Sequence, residues 1–170
     1  SRAMAQETAD AAYKKGVEMT MNELVKILDY LLPEGPLFRS LSYTGQEYVD
    51  KSDADHLDIP MAVLVNSESI SAAEFFAAAL MEYDAATVVG TQTIGKGYFQ
   101  QSYRLSDGSA VGLSVGRYTT PNGVSLTDVG ITPDVIVEMP EEQKSMFFEI
   151  GDLTDVQLGE AYKVALDMLK

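Results

Sequence analysis

Cysteine is absent from this chain of 170 residues and histidine occurs once, so disulfides, thiolate nucleophiles and thiolate metal sites are excluded. Any His-based catalytic arrangement would have His56 alone to work with. Cations are scarce: 12 Lys and Arg stand against 26 Asp and Glu, a net charge of −14. Nucleic acid and anionic membrane surfaces require clustered Lys and Arg, so neither is expected as a partner, and the acidity reads mainly as solubility. No apolar run reaches the roughly 20 residues that span a bilayer, and no apolar h-region of a signal peptide opens the chain. The Ser1-Arg-Ala-Met4 start fits either a vector remnant or the new end of a mature secreted protein, which leaves the compartment open. What the chain does have is 46% hydrophobic residues, enough for the core of one globular domain over 1–170.

Periodicity divides that domain into α, then alternating α and β, then β. Ala5–Gly16 is a polar amphipathic helix, and Asn22–Leu32 places Leu24, Ile27, Leu28 and Leu31 at helical spacing before Pro33, Gly35 and Pro36 end it. Leu37–Val49 reads as a hairpin turning at Thr44–Gly45, followed by a charged loop over Lys51–Asp58. Ile59–Val65 is an unbroken apolar run that suits a strand buried on both faces. Ser71–Tyr83 is a helix and Thr87–Gly90 a short strand, which makes a parallel strand–helix–strand unit. Phe99–Leu105 and Ala110–Thr119 flank the turn SDGSA as an antiparallel hairpin, and Pro121–Gly123 is a further turn. Val135–Val137 is a last strand, and the end of the chain (150–170) is helical over Asp155–Leu169, with Asp155 as its cap.

Two residues carry chemistry. Ser71 ends the stretch IPMAVLVNSESIS and opens a helix, a position that lifts a hydroxyl out of a sheet and offers helix N–H groups to a developing oxyanion. The same residues, Ser71-Ala-Ala-Glu74, also fit the S-x-x-E capping box, in which the serine merely caps. Ser67 and Ser69 are competitors nearby. Lys96 follows 25 residues later between two glycines, and a lysine kept neutral can deprotonate a serine. Gly90–Lys96 also fits the G-x-x-x-x-G-K core of a phosphate loop, but position 97 is glycine where Ser or Thr is required, and an alternating aromatic stretch replaces the helix that must follow. Solvation on a glycine-rich loop is the plain alternative. Gln100, four residues on, either orients the Lys96 amine without adding charge or pairs across the hairpin. His56 sits among Asp53, Asp55 and Asp58, where it reads as solvated more readily than as a base or a cation ligand.

Several ordered motifs carry a resemblance: VLVNSESISAAEFFAAALMEY, then ATVVGTQTIGKGYFQQSYRLSDGSAVGLSVGRYTTPNGVSL, then GITPDVIVE. From about Ile59 to Val137 the chain resembles the carboxyl-terminal processing, or tail-specific, proteases of the S41 serine peptidase family. The resemblance implies an α/β fold with a crotonase- or ClpP-like core, a mixed sheet flanked by helices, and a Ser–Lys endopeptidase cutting near exposed C-termini. It implies Ser71 as nucleophile, Lys96 as base, Gln100 as the group that orients Lys96, and the Ala72 N–H as one oxyanion donor, with no metal or organic cofactor. Ile94, Tyr98 and Phe99 would desolvate Lys96. Protein or peptide substrates and a location outside the cytoplasm, in the envelope or beyond it, follow from the same resemblance, and homo-oligomerisation stays open.

Two family features are not found. No PDZ domain is visible. Lys15–Glu18 runs directly into Met19–Asn22 where the family has a strand ending like D-L-R-x-N-x-G-G, one glycine of which supplies the second oxyanion donor. The chain is therefore expected to lack one core strand, as a fragment or a sequence missing an internal piece, and loss of one such donor slows turnover ~100- to 1000-fold. A non-catalytic binding domain on the same fold is the competing expectation.

Overall fold

The computed structural model describes residues 21–146 and 148–169. The expected helix over Ala5–Gly16 and the Lys15–Glu18 junction lie outside the described residues. The first described element, α1 (Met21–Leu31), buries Leu24 and Leu28, one turn apart on a single face, with Leu32 continuing the stripe. Pro33 then closes off helical continuation.

β1 (Gly35–Ser42) and β2 (Glu47–Ser52) form the first hairpin, antiparallel from Gly35 opposite Ser52 to Leu41 opposite Glu47. The hairpin is longer than its alternation suggested: Lys51 and Ser52, expected in the charged loop, are paired strand residues. β3 (Met61–Val65), α2 (Ala72–Glu82) and β4 (Ala86–Gly90) make the expected parallel unit, with Met61 opposite Ala86 and Val65 opposite Gly90. β5 (Tyr98–Arg104) and β6 (Ala110–Thr119) form the second hairpin. β7 (Val135–Ile136) and α3 (Val156–Asp167) complete the chain. Asp155 caps α3 as expected, accepting from the N–H groups of Gln157 at 2.9 Å and Leu158 at 3.2 Å.

The architecture is mixed α/β, with its strands divided between an antiparallel sheet in the order β2-β1-β6-β5 and a parallel sheet in the order β3-β4-β7. α2 packs against α1, β1, β3 and β4, and the aromatic residues join helix to antiparallel sheet. Tyr118 of β6 meets Phe38 of β1 and Phe75 of α2 edge-on at 5.5 and 5.8 Å, and stacks on Phe99 of β5 at 4.8 Å. Such pairs add roughly 0.5–1.5 kcal/mol each beyond area burial. Leu24, Leu28, Leu37, Phe75, Leu80 and Val88 are wholly buried beneath them.

One expectation requires correction. The apolar run Ile59–Val65 suggested a strand covered on both faces, yet Leu64 is 41% exposed and Met61, Ala62 and Val63 are only half-buried. β3 is the end of its sheet: it pairs with β4 along its length, and among the described residues no strand pairs with its other side. Its composition is that of a central strand in an edge position.

Candidate active site

The site forms where β3 and β4 end. After Val65 the chain makes a tight turn in which the Asn66 N–H donates to Ser69 Oγ at 3.1 Å and the Ser69 N–H donates to the Asn66 carbonyl at 2.9 Å. Ser69 is thus committed to the turn. Ser71, half-buried, stands at φ 57° and ψ −118°, a backbone conformation sparsely used by any residue with a Cβ. Holding it costs of order 1–3 kcal/mol, which surrounding contacts must offset. A strained serine between a strand and a helix is the geometry of a nucleophile elbow. The Ser71–Glu74 capping box is in place as well. The Glu74 carboxylate accepts from the Ser71 N–H at 2.8 Å, and the Glu74 N–H donates to the Ser71 carbonyl at 2.9 Å. Ala72 is buried as the first residue of α2, and its N–H has no acceptor among the described residues.

The Lys96 loop is fastened onto this elbow by Glu74, which is fully buried. Glu74 Oε1 accepts from Thr93 Oγ1 at 2.6 Å and the Gly95 N–H at 2.7 Å; Oε2 accepts from the Ser71 N–H at 2.8 Å and the Lys96 N–H at 2.9 Å. One oxygen therefore joins the main chains of Ser71 and Lys96, whose nitrogens lie at most about 6 Å apart. Gly95 must be glycine: at φ +87° a Cβ would come within 2.8 Å of backbone atoms of Leu126, Val129 and Gly130. Lys96 itself is half-buried, and its amine has no hydrogen bond or ion pair among the described residues. The phosphate-loop resemblance fails here physically. The N–H groups of Gly95 and Lys96 already serve an anion supplied by the protein, and a strand, β5, follows where a helix would be required.

Ser71, Ala72 and Lys96 thus gather in one place, while other sequence candidates do not join them. The Gln100 side chain is exposed on β5 and its Nε2 donates across the hairpin to Ser114 Oγ at 3.4 Å, with no bond to Lys96. Ile94 and Tyr98 are 56% and 40% exposed, and Phe99 stacks on Tyr118. Burial, then the charge of Asp50, raises the Tyr118 phenol above its ordinary pKa. His56 is exposed and lies ahead of β3, whereas Ser71 follows its far end, a strand length of roughly 16 Å away. The aspartates beside it serve the backbone: the Asp53 N–H donates to Asp29 Oδ1 of α1 at 2.9 Å, and the Asp55 N–H closes a local turn onto Asp53 Oδ1 at 2.8 Å. Sequence reasoning saw Glu74 only as a cap partner. Its links to residues 93–96 span 19 to 22 positions and leave no periodic signal.

Comparison with known proteins identifies the family. The profile of peptidase family S41 matches residues 20–137. A carboxyl-terminal-processing protease of Synechocystis is 38% identical over 139 residues, covering 81% of this chain and 31% of its own. A carboxy-terminal-processing protease of Bartonella bacilliformis is 35% identical over 145 residues, covering 83% and 32%. Among solved structures, the photosystem II D1 C-terminal processing protease superposes with a TM-score of 0.65 at 34% identity, over 70% of this chain and 31% of that one. A Bacteroides fragilis crystal structure at 15% identity, with a TM-score of 0.69 over 88% of this chain, supports the fold alone. The chain spans about a third of the length of the curated relatives it matches. By profile, sequence and fold, it belongs to peptidase family S41.

Proposed function

We propose that this chain carries the catalytic core of a serine endopeptidase of the carboxyl-terminal-processing kind, acting on proteins with exposed or unstructured C-termini outside the cytoplasm. Ser71 Oγ attacks the scissile carbonyl while Lys96, neutral, takes the hydroxyl proton. The carbonyl oxygen becomes an oxyanion facing the Ala72 N–H and the positive end of α2. Collapse breaks the C–N bond, and the Lys96 ammonium returns its proton to the departing amine. Water then adds to the Ser71 ester with Lys96 again as base, freeing the acid and the serine. Gln100 orients the amine in the substrate-bound site; at 3.4 Å its bond to Ser114 is long and readily exchanged.

The observation that carries this reading is Ser71 itself, a non-glycine residue held at φ 57° at the start of a helix. A serine that merely capped α2 would have no need of that backbone. Digestion of an unfolded protein such as casein by this chain, beside Ser71→Ala and Lys96→Ala, tests it. Cleavage by the parent and by neither variant is expected; cleavage that persists in either variant refutes the Ser–Lys mechanism.

A further inference from the structure

We infer that Glu74 is the positioning residue of the site: its buried carboxylate sets the separation of Ser71 and Lys96 without touching reacting atoms. This rests on the Ser–Lys reading above. Capping explains one of its four hydrogen bonds, the one to the Ser71 N–H. The other three come from Thr93, Gly95 and Lys96, on the loop that presents the lysine. Both oxygens are filled, each by two donors, so Glu74 has no lone pair directed at substrate and cannot act as the base. An ionised carboxylate is the one side chain of this shape that accepts from four donors at once; the amide of glutamine would offer one oxygen and turn two N–H donors toward groups that are donors themselves.

The clamp continues beyond the loop. Thr93 Oγ1 donates to Glu74 and accepts from the Ile131 N–H at 2.8 Å, and the Asp128 N–H donates to the Gly95 carbonyl at 2.9 Å. Residues 126–131 thereby hold the Lys96 loop from behind while Glu74 holds it from the front. With the main chains of Ser71 and Lys96 tied to one oxygen, the lysine amine has a fixed origin from which to reach the serine hydroxyl.

The test is the rate at which Ser71 is phosphonylated by an alkyl fluorophosphonate, followed against pH. In that reaction the Oγ–P bond forms, fluoride leaves, and the hydroxyl proton passes to Lys96. The parent chain is compared with Glu74→Gln, Thr93→Val, Lys96→Ala and Ser71→Ala, each checked for folding by circular dichroism. Labelling in folded Glu74→Gln is expected to fall on the order of 100-fold, as a displacement near 1 Å does to an aligned pair, and the pH midpoint is expected to move because the amine sits in altered surroundings. Thr93→Val keeps the carboxylate and removes one donor, so the rate falls about ten-fold with the midpoint moving the same way. That variant decides the matter if Glu74→Gln does not fold. Parent rate and midpoint in the folded variants overturn the inference, and so does a loss that only follows the unfolded fraction with the midpoint unmoved. Lys96→Ala labelling at the parent rate, or a parent that does not label, removes the Ser–Lys reading and the positioning role with it. Loss in Lys96→Ala beside an unaffected Glu74→Gln removes the positioning role alone.

Discussion

Replacing Ser71 by glycine and, separately, by alanine isolates the strain stored at the elbow. Both variants lack the hydroxyl, so whatever bond it makes is lost from the two alike. They differ in the backbone. At φ 57° and ψ −118° alanine keeps the steric cost of roughly 1–3 kcal/mol, whereas glycine escapes it. Glycine in turn gives the unfolded chain more freedom, an opposing effect of about 0.5–1 kcal/mol. The balance leaves Ser71→Gly more stable than Ser71→Ala by about 1 kcal/mol, or about 2–4 °C in Tm for a chain of this size. Urea unfolding with matched m-values measures the difference directly. Equal stabilities, or a more stable alanine variant, would show that Ser71 is not strained, and the elbow argument would fall with it.

Three further outcomes follow from the geometry. Asp155→Ala removes the acceptor for the N–H groups of Gln157 and Leu158, so the chain should lose about 1 kcal/mol and some helical ellipticity, read in a thermal melt monitored at 222 nm. Gly95→Ala drives a Cβ to 2.8 Å from three backbone atoms at a positive φ; it should destabilise by more than about 1 kcal/mol in urea unfolding and slow Ser71 labelling as well, because Lys96 is the next residue. Tyr118 has a folded pKa raised above its ordinary value of 10.0, so its neutral form favours the native state: that stability is intact below the unfolded pKa and lost as pH climbs through the folded one. Tyr118→Phe should therefore lose less stability than the parent between neutral pH and pH values above 10, in urea midpoints measured across that range.

The order of elements was legible because each had a local cause. Leu24 and Leu28 mark one helical face, Asp155 caps α3, and the SDGSA turn lies between two alternating runs. Ser71 and Lys96 stood out for the same reason, each having a telling neighbourhood of its own. What could not be read was whatever depends on partners. The sequence of β3 is that of a central strand, and its edge position follows from which strands pair beside it. Gln100 offered two contacts with equal local merit, and the register of β5 with β6, which sets Gln100 opposite Ser114, turned it toward the second. Glu74 looked like an ordinary cap because its other donors arrive from a loop 19 to 22 residues away. The positive φ of Ser71 has no signature in residue type, since serine is not the residue that such a backbone prefers.

The Thr93–Glu74 network also has a consequence for how the protein opens. The Lys96 loop cannot lift away piecemeal: releasing Gly95 or Lys96 leaves a buried carboxylate short of donors, and releasing Thr93 also strips the Ile131 N–H of its acceptor. Segments distant in sequence are thereby made into one opening unit. In native-state hydrogen exchange the amides of Ser71, Gly95, Lys96 and Ile131 should share a single protection free energy, well above that of the exposed turns at Gly45 and Gly108. The Ser71–Lys96 arrangement is then either assembled as a whole or absent, with no half-formed site between.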